Sequence, residues 1–97
     1  MARERLYIVA YDISSPARWR QVYRIMKGYG HWLQLSVFQC RLTKRRKQEM
    51  LGRLEKAIRP GEDHVLIMDI GPAETVDVCI ESLGKEWRKP ERQAIVI

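Results

Sequence analysis

The sequence predicts a single α+β sandwich, in which two helices lie on one face of a mainly antiparallel sheet. Three observations predict it. The run Leu6-Tyr7-Ile8-Val9-Ala10-Tyr11 is apolar on both faces of a strand, since Leu6, Ile8 and Ala10 alternate with Tyr7, Val9 and Tyr11. A strand buried on both faces is central in its sheet. Two capped amphipathic helical patterns separate this run from the later strand-like runs. Finally, 97 residues make one domain whose core is adequate but not generous, so help from a partner chain is expected.

Taken in order, the first strand ends at Asp12, and Ser15 with Pro16 sets an N-cap and N1 pair for a helix running to about Lys27. Trp19, Val22, Met26 and Tyr29 share one stripe of that helix with Ile25 beside them, whereas Arg20, Arg24 and Lys27 share another. Gly28 and Gly30 end it. Residues 31–42 read as a short strand at 31–34 and a longer one at 36–42, with a single kinked strand fitting nearly as well, and within them Gln34 and Ser36 need local hydrogen-bond partners. Thr43 caps a second helix with Met50, Leu51, Leu54, Ala57 and Ile58 as its buried stripe. Glu49 with Arg53 and Glu55 with Arg59 form i, i+4 pairs on its outside, and Pro60-Gly61 stops it.

Residues 65–70 are the next strand, closed by Gly71-Pro72. A further strand is expected from Thr75 to Gly84, on the period of two set by Val76, Val78 and Ile80. After a polar connection around Lys89-Pro90-Glu91, residues 91–97 end in Ala94-Ile95-Val96-Ile97 and are expected to add a strand to a sheet edge. That edge belongs to this chain or to a second copy, with the strand exchanged or docked at the dimer interface. This βαββαβ order with extra C-terminal strands is that of a ferredoxin-like sandwich forming one domain over 1–97. Its helices cover one face only, so a homodimer is the expected cover for the other.

Charge points toward a partner. The chain carries a net +6, with 14 Lys and Arg against 4 acids in residues 1–60 and 4 against 8 in residues 61–97. Such one-sided basicity favours a polyanion, most simply nucleic acid. Lys44, Arg45, Arg46 and Lys47 open the second helix, where the macrodipole disfavours each cation by a few tenths of a kcal/mol. A phosphate backbone would offset that cost. No apolar run approaches the roughly 20 residues that span a bilayer, and the N-terminus lacks a signal-peptide core, so a cytoplasmic protein with no membrane partner is expected. Cys40 and Cys79 are isolated within apolar runs, which predicts buried reduced thiols.

Little catalytic chemistry is on offer. Hydrolytic triads and Gly-rich phosphate loops are absent, and His31 and His64 read as structural residues at strand starts. Asp12 remains. It either orders the Ile13-Ser14-Ser15 turn as an Asx cap or ligates a divalent metal. Mg²⁺ takes one or two carboxylates and keeps several waters, so one aspartate per chain suffices if a dimer axis brings two together. Two apposed carboxylates need a cation between them.

Tyr11-Asp12-Ile13, Pro16-x-Arg18-x-Arg20, Gly30 and then Gln34-x-Ser36-Val37-Phe38-x-Cys40 resemble the signature of the second CRISPR-associated protein family, over about residues 6–42. The resemblance implies a ferredoxin-like homodimer whose C-terminal strands cross to the partner's sheet. It implies that Asp12 is catalytic and metal-binding, holding one Mg²⁺ with its symmetry mate. Arg18 and Arg20 would bind nucleic acid, helped by the cluster Lys44, Arg45, Arg46 and Lys47, and Tyr11, Ser14, Gln34, Ser36 and Phe38 would support the motif. Such a protein binds duplex DNA between two dimers of the CRISPR-associated integrase during spacer acquisition. It is also a slow Mg²⁺-dependent endonuclease on single-stranded RNA or duplex DNA, unless it is a non-catalytic scaffold with Asp12 structural. One position departs from the pattern: many members carry a basic residue where this chain has Trp32.

Overall fold

The computed structural model describes residues 3–85. Six elements follow in order: β1 (Arg5–Asp12), α1 (Pro16–Lys27), β2 (His31–Gln34), β3 (Val37–Leu42), α2 (Lys44–Ala57) and β4 (His64–Pro72). The sheet order is β2-β3-β1-β4 with every adjacent pair antiparallel, so β1 is central as its two apolar faces require. The ferredoxin-like arrangement is thereby in place. The proposed strand at 91–97 lies outside the described residues.

Tyr7, Val9 and Tyr11 point from β1 into the layer of helices. There they pack with Val22, Met26 and Tyr29 of the α1 side, with Phe38 and Cys40 of β3, and with Met50 and Leu54 of α2. Both predicted caps form: the Ser15 side chain accepts from the Arg18 N–H and that of Thr43 from the Arg46 N–H. Gly30 is required by packing, because a Cβ there would meet Cys40 Sγ and come within 2.6 Å of the Gln39 carbonyl. β2 and β3 are joined by a two-residue turn whose first residue, Leu35, has a φ of 39°. A leucine in that left-handed region costs about 1 kcal/mol or more.

The second face of β1 carries Leu6, Ile8, Ala10 and Asp12. Opposite Ile8 and Ala10 stand Met68 and Leu66 of β4, and together with Ile70 these remain 41–49 % exposed. This apolar face is only partly covered. The chain after β4 turns back so that Ala73 donates to the Glu4 carbonyl and Val76 packs on Gly71. Val78, Ile80 and Leu83 then border an open cavity of about 370 Å³ over Ile8, Leu33 and Val37.

Three expectations need correction. Residues 76–83 form no ladder strand, because a period of two states which side chains want burial but supplies no neighbour to hydrogen-bond. For the same reason Cys79 is exposed rather than buried, while Cys40 is fully buried with its thiol pushed up to about 12 by desolvation. The i, i+4 pairs on α2 also give way. Arg53 lies over the Tyr29 ring, and Arg59, beyond the helix end at Ala57, pairs with Glu62 at 3.1 Å.

Candidate functional site

Asp12 ends the central strand on the rim of the partly covered apolar face. Its carboxylate is exposed and unpaired among the described residues. Directly across the ladder stands His64, the first residue of β4, at a Cβ separation of about 5 Å for such a pair. Asp12 does not order the turn that follows it.

That turn is held instead by Asp63. Its Oδ1 accepts from both the N–H and the hydroxyl of Ser14, at 3.1 and 3.3 Å. Its Oδ2 accepts from Arg18 Nε at 2.7 Å and from the Arg59 N–H at 2.8 Å. Arg18 Nη2 closes the network on Asp63, Ser14 Oγ and Glu62. The Asp63 side chain is fully enclosed. The Arg18 guanidinium, with the Arg59 and Ser14 N–H groups, outweighs that desolvation and holds the carboxyl well below the usual range. Asp63 thus ties the α2–β4 turn to the β1–α1 turn, and Arg18 is committed to this latch with only 21 % of its side chain exposed.

A second strut comes from the β2–β3 hairpin. The Ser36 carbonyl accepts from the Tyr11 N–H at 3.0 Å and its hydroxyl accepts from Trp19 Nε1 at 2.8 Å. Beneath them Tyr11 stacks on Phe38, which is fully buried. The Tyr11 hydroxyl is buried without a hydrogen-bond partner among the described residues, and burial, with Tyr23 nearby, pushes its pKa up to about 12. It therefore stays neutral. Of the supporting residues, Tyr11 and Phe38 form the floor, Ser14 and Ser36 brace the loops, and Gln34 is exposed on the hairpin.

The cations divide. Arg20 is exposed on α1, on the outer stripe. Lys44, Arg45, Arg46 and Lys47 follow Leu42, which pairs with Arg5 at the far end of β1. Seven strand rises, about 23 Å, separate them from Asp12. Arg46 donates to the Gly28 carbonyl at 3.0 Å and lies over Tyr29, and Lys47 lies over Tyr7, whereas Lys44 and Arg45 are exposed. The fold does not bring this cluster to Asp12.

The profile of the family described as CRISPR associated protein Cas2 matches residues 5–78, a span that holds Asp12, both struts and the basic cluster. The chain belongs to the Cas2 family. It is 57 % identical over 94 residues to CRISPR-associated endoribonuclease Cas2 1 of Rhodospirillum rubrum, covering 97 % of this chain and 92 % of that protein. It is 48 % identical to CRISPR-associated endoribonuclease Cas2 of Geobacter sulfurreducens, covering 97 % and 99 %. Among solved structures it is similar to the hypothetical protein TT1823 of Thermus thermophilus, with a TM-score of 0.71 and 34 % identity over 84 % of this chain and 93 % of that one.

Within this Cas2 chain the donor set fits one kind of metal. No group of three His, Cys, Asp or Glu able to hold an ion comes together among the described residues, so one chain offers no closed cage. An exposed carboxylate suits a hard divalent cation that keeps most of its waters, whereas the His64 imidazole, its register partner across the ladder, is not a ligand such a cation prefers. Sequence reasoning missed Asp63 altogether. Its partners Arg18 and Ser14 lie 45 and 49 residues away, and the local signal was only an acid after a Pro-Gly turn, four residues beyond an arginine.

Proposed function

We propose that this Cas2 chain acts in CRISPR spacer acquisition as a homodimeric, Mg²⁺-dependent endonuclease of the endoribonuclease type. The observation that carries this reading is the Asp12 carboxylate, unpaired among the described residues, on the rim of an apolar face that is only partly covered. A second copy packed on that face would place a second Asp12 opposite the first. The endoribonuclease names of the relatives support RNA as a substrate.

Asp12 would hold the Mg²⁺, which would supply an activated water and neutralise charge on the phosphate. The chain's own work is positional. Asp12 holds its place because β1 is paired on both sides, and the Asp63 latch fixes the backbone after it. Of the two motif arginines on α1, Arg20 is the one exposed and available to a phosphate, whereas Arg18 serves the latch. One ion shared by two chains lacks the second metal of a two-metal clamp, so turnover is slow.

The basic cluster, about 23 Å from Asp12, favours a further role. Lys44 and Arg45 form a platform for duplex DNA, on which the dimer bridges two dimers of the CRISPR-associated integrase. If Asp12→Asn abolishes cleavage and leaves duplex affinity and integration intact, the two roles are separate.

The test uses labelled single-stranded RNA and duplex DNA with wild type and Asp12→Ala, each in Mg²⁺ and in EDTA. Cleavage should fall at least 100-fold with either the substitution or the chelator. Robust cleavage in EDTA would overturn the metal mechanism. Duplex binding without cleavage in any lane would leave the scaffold alone.

A further inference from the structure

The aromatic residue that departs from the family pattern is held in an unusual way. Trp32 sits on the edge strand β2, opposite Phe38 and therefore on the helix side, yet it is 52 % exposed. Its Nε1 donates to the Leu35 carbonyl at 2.9 Å, so the indole is fixed by the strained turn rather than left free. On its inner side it meets Tyr23 edge to face, with ring centroids 6.2 Å apart. Tyr23 in turn stacks on Trp19 at 5.4 Å, with the ring planes 10° apart. Three rings thus form a ladder that runs from the Ser36 strut out to solvent.

Cations run beside this ladder. Lys27 Nζ is 5.7 Å from the Tyr23 centroid, and Arg20, Arg24 and Lys27 share the neighbouring stripe of α1 at i, i+4 and i+7. Arg20, Arg24 and Lys27 are all exposed. A fixed, half-open indole next to a row of positive charges is the arrangement that binds single strands, where a base stacks and its phosphates follow the cations.

We propose that Trp32, backed by Tyr23 and flanked by Lys27, Arg24 and Arg20, is a stacking site for an unpaired base of a single-stranded nucleic acid. The proposal rests on the nucleic-acid reading above and extends it to a second contact on each chain. Trp32 is two strands across and three residues along from the Asp12 rung, roughly 14 Å in Cα position. A strand stacked there can therefore turn the hairpin end toward Asp12. Duplex DNA, whose bases are already paired and stacked, gains nothing from the site.

The experiment measures binding in EDTA, by fluorescence polarisation, for wild type, Trp32→Ala and Trp32→Phe. The probes are a labelled uridine decamer, a deoxyuridine decamer, an abasic decamer and a short DNA duplex. Trp32→Ala should bind the uridine decamer about tenfold more weakly, within the range that one base on one ring contributes. Trp32→Phe should restore most of that affinity. The abasic strand and the duplex should not distinguish the three proteins. Stacking is equally supported whether uridine or deoxyuridine binds more tightly, and the ranking names RNA or DNA as the source of the base. The proposal is overturned by any of three results: an unchanged affinity in Trp32→Ala, an equal loss on the abasic strand or duplex, or no single-strand binding by wild type. Because no cleavage is involved, an inactive Asp12 would sink the nuclease reading and leave this one standing.

Discussion

Near the two ends of the central strand, Arg18 and Arg46 are used in opposite ways, although Arg5 at the far end is itself paired with Asp69 at 3.0 Å. At the Asp12 end, Arg18 is locked to a fully enclosed Asp63 at 2.7 Å, with Ser14 and Glu62 accepting from its Nη2. At the far end, Arg46 lies 4.8 Å from the Tyr29 centroid and donates to a carbonyl, and its nearest acid, Glu49, is 3.9 Å away. A guanidinium paired with a carboxylate has spent its charge on geometry. One laid on a ring keeps its positive field for a third party. The first end is therefore built to hold a loop still beside a carboxylate, and the second to present charge without fixing a partner's position.

Breaking the rigid end should have the largest effect. Asp63→Ala leaves Arg18 half-buried without its acid and the Ser14 turn without its anchor. Its melting temperature should fall further than that of Asp12→Ala, Trp32→Ala or Thr43→Ala, with cleavage reduced tenfold or more through misplacement of Asp12. Thermal denaturation by circular dichroism and the RNA cleavage assay measure the two effects. Duplex affinity should not change.

The same latch sets an acid limit. The Asp63 carboxyl titrates lower in the folded chain than in the unfolded one. Its contribution is therefore complete above the unfolded value of about 3.9 and is lost as pH falls from there toward the folded value. The gap in melting temperature between wild type and Asp63→Asn should be constant from pH 7 to about 5 and shrink by pH 3. A gap that widens on acidification would contradict the latch.

At the charged end, removing charge should affect binding alone. Replacing Lys44 and Arg45 together by alanine should reduce the slope of log duplex affinity against log salt by about 2, with melting unchanged. A slope left intact would take the duplex platform away from α2. The smallest effect is that of Thr43→Ala, which removes the α2 cap and should cost about 1 kcal/mol in urea denaturation with no change in cleavage.

Legibility in the sequence followed the range of the interactions. The centrality of β1, the Ser15 and Thr43 caps and the buried stripes of both helices depend on neighbours a few residues apart, and all were readable. Asp12 was readable because a lone carboxylate at the end of a doubly apolar strand stands out. What holds Asp12 in place was not, since the Asp63 network joins residues more than 40 positions apart. Arg18 shows the limit from the other side. A motif arginine on a helix face looks available to a ligand until the fold supplies its acid. Val76, Val78 and Ile80 show a third kind of limit, in which correct alternation says nothing about whether a neighbouring strand exists.

The position of β1 has a consequence for synthesis. Of the four described strands, the first to leave the ribosome is the one that needs neighbours on both sides, and those are β3 and β4. At about 5–20 residues per second, the stretch from Asp12 to Pro72 takes roughly 3–12 s to translate. The β2–β3 hairpin closes within itself, but Leu6, Ile8 and Val9 have no complete sheet until the last element emerges. The centre of the finished protein is thus the part of the nascent chain that waits longest, and chaperone demand should be highest before β4 is made.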